Sequence, residues 1–319
     1  MKNFAITSVA GYISPRHLKA IKEIGDNSIA AVDLHDSVGI LDQFFPYTRF
    51  FTEFERFDRH LEKIRRKGEE NKTHFLTICP PNNLHDAHIR LALRIGADAI
   101  CEKPLVLNPW NLDALQELET ETGSRVYTIL QLRVHPNLIE LKNKIAAEKK
   151  SKKYPVSLTY VTSRGLWYDF SWKGIKEKSR GEGTNIGIHI FDLLICLFGS
   201  VQNSELHLSK PKKMAGFIEL DNADVTWFLS ADRDDLPAEL IEKKVPTFRS
   251  IEYDGNKIQF SSGFTDLHTR VYEETLAGNG FGIEDARPSI HLVHELRGTK
   301  VIEKSDTIIH PMAEKYYQR

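Results

Sequence analysis

Cysteine is scarce: Cys79, Cys101 and Cys196 are widely spaced, and no Cys-x-x-Cys pair occurs in the 319 residues. That excludes a disulfide framework or a zinc ribbon and suits a reducing compartment, where each thiol packs as a small hydrophobe. An excess of one charge is also missing, since 43 Lys and Arg face 44 Asp and Glu for a formal net charge of −1. A free-standing nucleic-acid binder would show a basic excess or stripe, so nucleic acid is not an expected partner. No uninterrupted apolar run is long enough to span a bilayer, which removes the membrane as a partner. The opening Met1-Lys2-Asn3-Phe4-Ala5-Ile6 has no signal-type apolar segment and no small-residue cleavage site, so the expected location is cytoplasmic. Glycine is short where it would be most telling. Gly-x-Gly-x-x-Gly laid on Val9-Ala10-Gly11-Tyr12-Ile13-Ser14 keeps only the middle glycine.

What is present is an ordinary globular composition, 41% hydrophobic and 27% charged, in a chain long enough for two domains with separate cores. Residues 3–10 read as a buried strand, Gly11 as a turn, and Pro15 to Ile24 as a helix that Ser14 can cap. Ser28 to Asp33 then forms a second apolar strand ending in a carboxylate. Strand, glycine turn, helix, strand and acid is the order of a dinucleotide-binding unit, in which Gly11, Tyr12 and Ile13 would meet the pyrophosphate and Asp33 the ribose hydroxyls. A carboxylate there repels a 2′-phosphate and favours NAD over NADP, and the competing account is a plain turn with Asp33 at the surface.

Further strands fall at His74 to Cys79 and, after a helix from Leu84 to Ile95, at Ala97 to Cys101. The first is broken by Pro80-Pro81-Asn82-Asn83, and the second delivers Glu102-Lys103-Pro104 to a strand end, where parallel α/β sheets bind ligands. Pro104 holds Lys103 on a stiff turn. His85 and His88 sit three apart on the intervening helix without a third ligand, so they read as exposed or capping, and no metal is expected. A helix from Pro109 to Thr122 closes the alternating pattern.

Beyond residue 124 the pattern changes to paired strands. These lie at 156–162, 202–208, 216–220 against 225–229, and 251–253 against 257–260, the last pair joined by the hairpin dipeptide Asp254-Gly255. Period-two alternation gives each strand one core face, so the sheet is expected to carry helices on one side. The fold class is therefore α/β, with a doubly wound dinucleotide-binding domain over 1–123 and a second α+β domain over 124–319 built on a mostly antiparallel open sheet. Residues 298–319 are polar and read as a strand-like arm over a neighbouring subunit or domain.

Two stretches of this second half carry chemistry. Asn185, His189 and Asp192 form one polar stripe on an otherwise apolar helix, which needs partners or a cavity. The loop Arg164 to Gly174 gathers Trp167, Tyr168, Trp172, Arg164 and Lys173. Aromatic faces suit a sugar or uracil ring and the cations suit phosphate or carboxylate oxygens, so an anionic nucleotide sugar fits the loop, with a buried apolar plug as the rival account.

Cys79-Pro80-Pro81-Asn82-Asn83-Leu84-His85, a helix, and Gly96 to Leu105 with its Glu-Lys-Pro resemble the signature of the glucose–fructose oxidoreductase and inositol dehydrogenase family, Gfo/Idh/MocA. The resemblance covers well over half the chain. It implies a Rossmann domain with NAD beside Pro81, Asn82, His85, Glu102 and Lys103, and a Lys103 that contacts substrate hydroxyl and nicotinamide next to a commonly cis peptide. The segment Gly181 to Asp192 resembles the family's glycine-rich helix, which makes His189 the catalytic histidine and puts Asn185 where aspartate is usual. An amide orients a hydroxyl but supplies no full negative charge.

Ala10 to His17, Ser163-Arg164-Gly165, Ser171 to Gly174 and Phe281 to Pro288 together resemble the branch that oxidises UDP-N-acetylglucosaminuronate (UDP-GlcNAcA) at carbon three in surface-polysaccharide and lipopolysaccharide synthesis. That branch has the same poor glycine fingerprint. Its members imply a homotetramer, and some recycle NADH with 2-oxoglutarate. The residues leave open whether His189 or Lys103 is the base. They also leave open a dehydrogenase of free sugars or inositols on the same fold, and a non-catalytic NAD sensor.

Overall fold

In a computed structural model, the described residues are 1–148, 153–179, 181, 183–260, 266–302 and 306–317. Two compact units divide the chain discontinuously, Met1–Gln131 with Thr265–Arg287, and Leu132–Phe264 with Pro288–Arg319.

The first unit holds six strands, β1 (Asn3–Thr7), β2 (Asn27–Val32), β3 (Arg49–Phe51), β4 (Phe75–Ile78), β5 (Asp98–Cys101) and β6 (Val126–Thr128). They lie in the order β3-β2-β1-β4-β5-β6, and every pairing is parallel. This is the doubly wound arrangement, whose order reverses between β1 and β4, so ligands are received at the carboxyl ends of those two strands. The strands are near-continuous apolar runs because a parallel sheet is buried on both faces, and Phe4, Ala5, Ile6, Leu76, Ile78, Ala99 and Ile100 are fully buried.

The helix Ser14–Glu23 follows β1 with Pro15 in its first turn, and Ser14, His17, Leu18 and Ile21 make its buried stripe. Ser14 is helical and its side chain does not cap. A second helix, Leu267–Leu276, belongs to the same unit, although the sequence pattern groups it with residues 124–319. The reason is its buried face: Tyr272 stacks on Phe4 at 5.8 Å and its hydroxyl reaches Thr77 on β4 at 2.9 Å.

The second unit contains β7 (Tyr154–Thr162), β8 (Val201–Lys210), β9 (Lys213–Leu220), β10 (Ala223–Ser230), β11 (Thr247–Tyr253) and β12 (Asn256–Gln259). Their order is β12-β11-β7-β10-β9-β8. All pairings are antiparallel except β7 with β10. Asp254 and Gly255 both take positive φ, 50° and 75°, in the hairpin between β11 and β12, the turn that Asp-Gly favours.

One expectation about this sheet fails: it is covered on both faces. Trp227 packs edge-on against Phe191 of the helix Ile188–Phe198 at 5.1 Å, while its neighbour Phe228 stacks on His310 on the opposite side at 5.7 Å. The arm expected over 298–319 is also different. Ile302 donates to the Leu206 carbonyl on β8, and Pro311–Tyr317 is a helix that closes on the unit's own sheet. Ile309, Met312, Ala313 and Tyr316 pack there with Val161, Leu208 and Phe228. Met312, Ala313 and Tyr316 share one face of that helix, which the surrounding charges obscure in the sequence, and Ile309 precedes it. Residues 303–305 and 318–319 of that arm lie outside the described residues. The apolar helix ending at Phe198 is largely buried in the protein, the environment of a core helix.

Candidate active site

At the carboxyl end of β1 the chain turns at Gly11, where a Cβ would stand 2.9 Å from the Ser8 carbonyl. Only glycine lets the backbone approach so closely. Asp33, just past β2, accepts the Ala10 N–H at 2.9 Å through one oxygen and the His35 N–H at 2.9 Å through the other, which ties this turn to the strand end. Tyr12 is 80% exposed beside it and Ile13 is half-buried. At the end of β4, Pro81 leads into Asn82, which is buried.

Two polar atoms at these strand ends, Ser14 Oγ and Asn82 Nδ2, are buried and have no hydrogen-bond partner among the described residues. Buried polar groups of this kind are satisfied by a ligand or by water. A close-approach glycine, a helix N-terminus, the Asp33 carboxylate and these two orphaned atoms fit a dinucleotide.

The end of β5 carries Glu102, Lys103 and Pro104, and the Lys103–Pro104 peptide is cis. Lys103 is half-buried. Glu102 is buried, and its Oε1 accepts from His17 Nε2 at 2.9 Å and from His268 Nε2 at 3.0 Å. Burial works to raise this carboxyl, and the two imidazole bonds outweigh it, so Glu102 stays ionised well below the usual carboxylate range. Burial holds His268 below its ordinary value, so it donates as a neutral ring.

His85 and His88 are not exposed: they are 1% and 8% accessible. Both ring nitrogens of His85 face carbonyl oxygens, Pro104 at 2.7 Å and Pro80 at 3.0 Å, and burial again lowers its pKa. His88 stacks on Phe54 at 4.5 Å. The first unit therefore gathers Gly11, Tyr12, Ile13, Asp33, Pro81, Asn82, His85, Glu102 and Lys103 at the carboxyl ends of β1, β2, β4 and β5. Sequence reasoning singled out neither His17 nor His268 as a functional residue. Each sits in a helical stripe with apolar residues, Leu18 and Ile21 for His17 and Val271 and Tyr272 for His268, and that was the available signal.

In the second unit, Arg164 follows β7 and donates its N–H to the Ala231 carbonyl at 3.0 Å. Its side-chain Nε is buried with no hydrogen-bond partner among the described residues. Lys173 Nζ lies over the rings of Trp167 and Trp172 at 5.8 and 5.6 Å, which makes one cationic aromatic cluster. Tyr168 is 2% exposed, and its hydroxyl accepts from Asn185 Nδ2 at 2.6 Å. Its hydroxyl therefore meets Asn185 and not solvent.

Asn185 lies in a wide helical turn, Gly183–Gly187, that opens into the helix Ile188–Phe198. Insertions of this kind recur at functional sites. Gly187 is required there because a Cβ would meet the Phe191 ring at 2.8 Å. His189 is half-buried at the start of the regular helix. Asp192 completes the stripe and is held by Arg133, a residue absent from the sequence-based set.

A parallel sheet in this order, with a close-approach glycine turn and a carboxylate at the switch point, is the architecture of an NAD-binding oxidoreductase module. The chain belongs to the Gfo/Idh/MocA oxidoreductase family: residues 2–129 match its NAD-binding Rossmann fold and residues 149–233 its C-terminal alpha/beta domain. Among solved structures it is similar to the WlbA (WbpB) dehydrogenase from Thermus thermophilus in complex with NAD and alpha-ketoglutarate. Identity is 50% over 98% of this chain and 99% of that one, with a TM-score of 0.94. The same enzyme in complex with NAD and UDP-GlcNAcA matches at 49% identity over 98% and 99% of the two chains, with a TM-score of 0.93. The WlbA dehydrogenase from Bordetella pertussis shares the fold at 17% identity over 93% and 96% of the chains, with a TM-score of 0.76.

Proposed function

We infer that this chain oxidises the C3 hydroxyl of UDP-GlcNAcA to the 3-keto sugar with NAD, in nucleotide-sugar synthesis for surface polysaccharide and lipopolysaccharide, and that 2-oxoglutarate reoxidises the NADH. The observation that carries this reading is the near full-length likeness, at about half identity, to a dehydrogenase solved with NAD and each of those two compounds. The buried, unpartnered Arg164 Nε and the cation over Trp167 and Trp172 support an anionic nucleotide sugar as the ligand.

In this reading residues 1–123 bind NAD and residues 124–319 bind substrate and build a homotetramer, active in the cytoplasm. Bound NAD supplies the hydride acceptor. Gly11, Tyr12, Ile13, Asp33, Pro81 and Asn82 hold it, and Asp33 selects against a 2′-phosphate. Neutral His189 takes the hydroxyl proton, since an imidazole titrates nearest the working pH. The Lys103 ammonium holds the hydroxyl oxygen and offsets the negative charge that develops on it as the proton leaves. Asn185 orients the sugar ring, with Tyr168 holding its amide. Arg164, Trp167, Trp172 and Lys173 take the nucleotide and carboxylate portions.

The test is reduced-nicotinamide absorbance with NAD and a panel of UDP-sugars and free sugars, with and without 2-oxoglutarate. UDP-GlcNAcA should be preferred. Lys103→Ala and His189→Ala should each lower turnover by about 10²- to 10³-fold while NAD stays bound. Activity on free sugars or inositol alone would overturn the substrate, and near-normal turnover in both variants would overturn the site.

A further inference from the structure

Three buried imidazoles act on the two residues that flank Lys103. On the amino-terminal side, Glu102 Oε1 accepts from His17 and His268, and Glu102 Oε2 accepts the Lys103 N–H at 3.3 Å. His17 is itself oriented from behind: its Nδ1 lies 2.9 Å from the Tyr272 hydroxyl, which lies 2.9 Å from Thr77 Oγ1. On the carboxyl-terminal side, the Pro104 carbonyl faces His85 Nδ1 at 2.7 Å, and the other nitrogen of the ring reaches Pro80 in the turn that follows β4. All of these residues belong to the first unit. Elements as distant in sequence as residues 17, 85 and 268 therefore converge on one tripeptide.

We propose that His17, His268 and His85 are positioning residues for Lys103, the first two fixing Glu102 and the third fixing Pro104, so that the ammonium is presented from a backbone held at both ends. The proposal rests on the reading that Lys103 contacts substrate. A catalytic ammonium is worth most when its oxygen partner needs no reorganisation, and a displacement of about 1 Å can lower a rate by 10²-fold. A buried carboxylate with two imidazole N–H donors is a rigid anchor, because releasing either donor leaves an under-satisfied charge out of water. The histidine–carboxylate separations of 2.9 and 3.0 Å are hydrogen-bond lengths. Ligands arranged tetrahedrally about zinc would stand roughly 3.3 Å apart.

The experiment uses the full-length enzyme loaded with NAD. His268→Leu and His85→Leu should each lower kcat by about 10- to 100-fold with KM for NAD within about twofold. His268→Gln keeps a donor at the Nε2 position and should recover at least about tenfold over the Leu variant. Crystal structures of the Gln and Leu variants give a readout independent of turnover, and remain available for Gln if Leu does not fold. Lys103 should shift by about 1 Å in His268→Leu and less in His268→Gln. Folded Leu variants with wild-type kcat, an unmoved Lys103, or one equivalent of tightly held metal at these ligands in the wild type would overturn the proposal. Lys103→Ala separates the two readings. Its full activity would sink the role of Lys103, whereas its loss beside unaffected histidine variants would sink only the positioning network.

Discussion

Arg133 grips Asp192 with two parallel hydrogen bonds, Nε to Oδ2 at 3.0 Å and Nη2 to Oδ1 at 2.7 Å, and both side chains are nearly out of solvent. Asp192 lies one turn beyond His189, so this pair ties the histidine's helix to the segment Gln131–Val134. Removing one member deprives the other, a largely buried charge, of this bidentate pairing. Arg133→Met should lower unfolding free energy by about 3 kcal/mol, and the double variant Arg133→Met with Asp192→Leu should recover most of it. Denaturant melts of the four proteins check this, and an additive double variant would refute it.

Cofactor choice should turn on Asp33. Its carboxylate organises the Ala10 and His35 N–H groups, and in the proposed reading it meets the ribose hydroxyls and repels a 2′-phosphate. Asp33→Ser should raise kcat/KM for NADP relative to NAD by at least about tenfold. Steady-state kinetics with both cofactors measure the ratio, and an unchanged ratio would remove Asp33 from the ribose site.

Acid should weaken the first unit through His88. Burial, and secondarily the charge of His85, holds His88 down to about 4. The unfolded chain therefore binds this proton first as pH falls below the ordinary histidine value of about 6.5. Stability from His88 is complete above that value and is lost between there and about pH 4. At pH 5 the loss is about 2 kcal/mol. His88→Leu should flatten the difference in unfolding free energy between pH 7.5 and pH 5 by about that amount. An equally steep dependence in the variant would show that His88 is not the group responsible.

Substrate affinity should respond to the cation over the two indoles. Lys173→Ala removes the charge that lies over both Trp167 and Trp172. KM for UDP-GlcNAcA should rise by about tenfold, with KM for NAD unchanged. Equal effects on both constants would mean that the loop serves the fold and not the ligand.

Much of this protein could be read without coordinates wherever a property belongs to one element. The alternation of apolar strands and helices, the single glycine at position 11, the acid at the end of β2, the Glu-Lys-Pro turn and the Asp254-Gly255 hairpin all follow from local dihedral preference and side-chain period. These fixed the fold class and put Asp33 and Lys103 at strand ends. Tertiary structure decided the rest, because it depends on which elements dock. Glu102 meets partners 85 and 166 residues away, the helix at Leu267–Leu276 returns to the first unit, and the helix at Pro311–Tyr317 covers the second face of its sheet. Periodicity tells a helix which side to bury. It does not say against what, so the anchoring of Lys103 by three histidines and of Asp192 by Arg133 emerged only once distant buried faces were brought into contact.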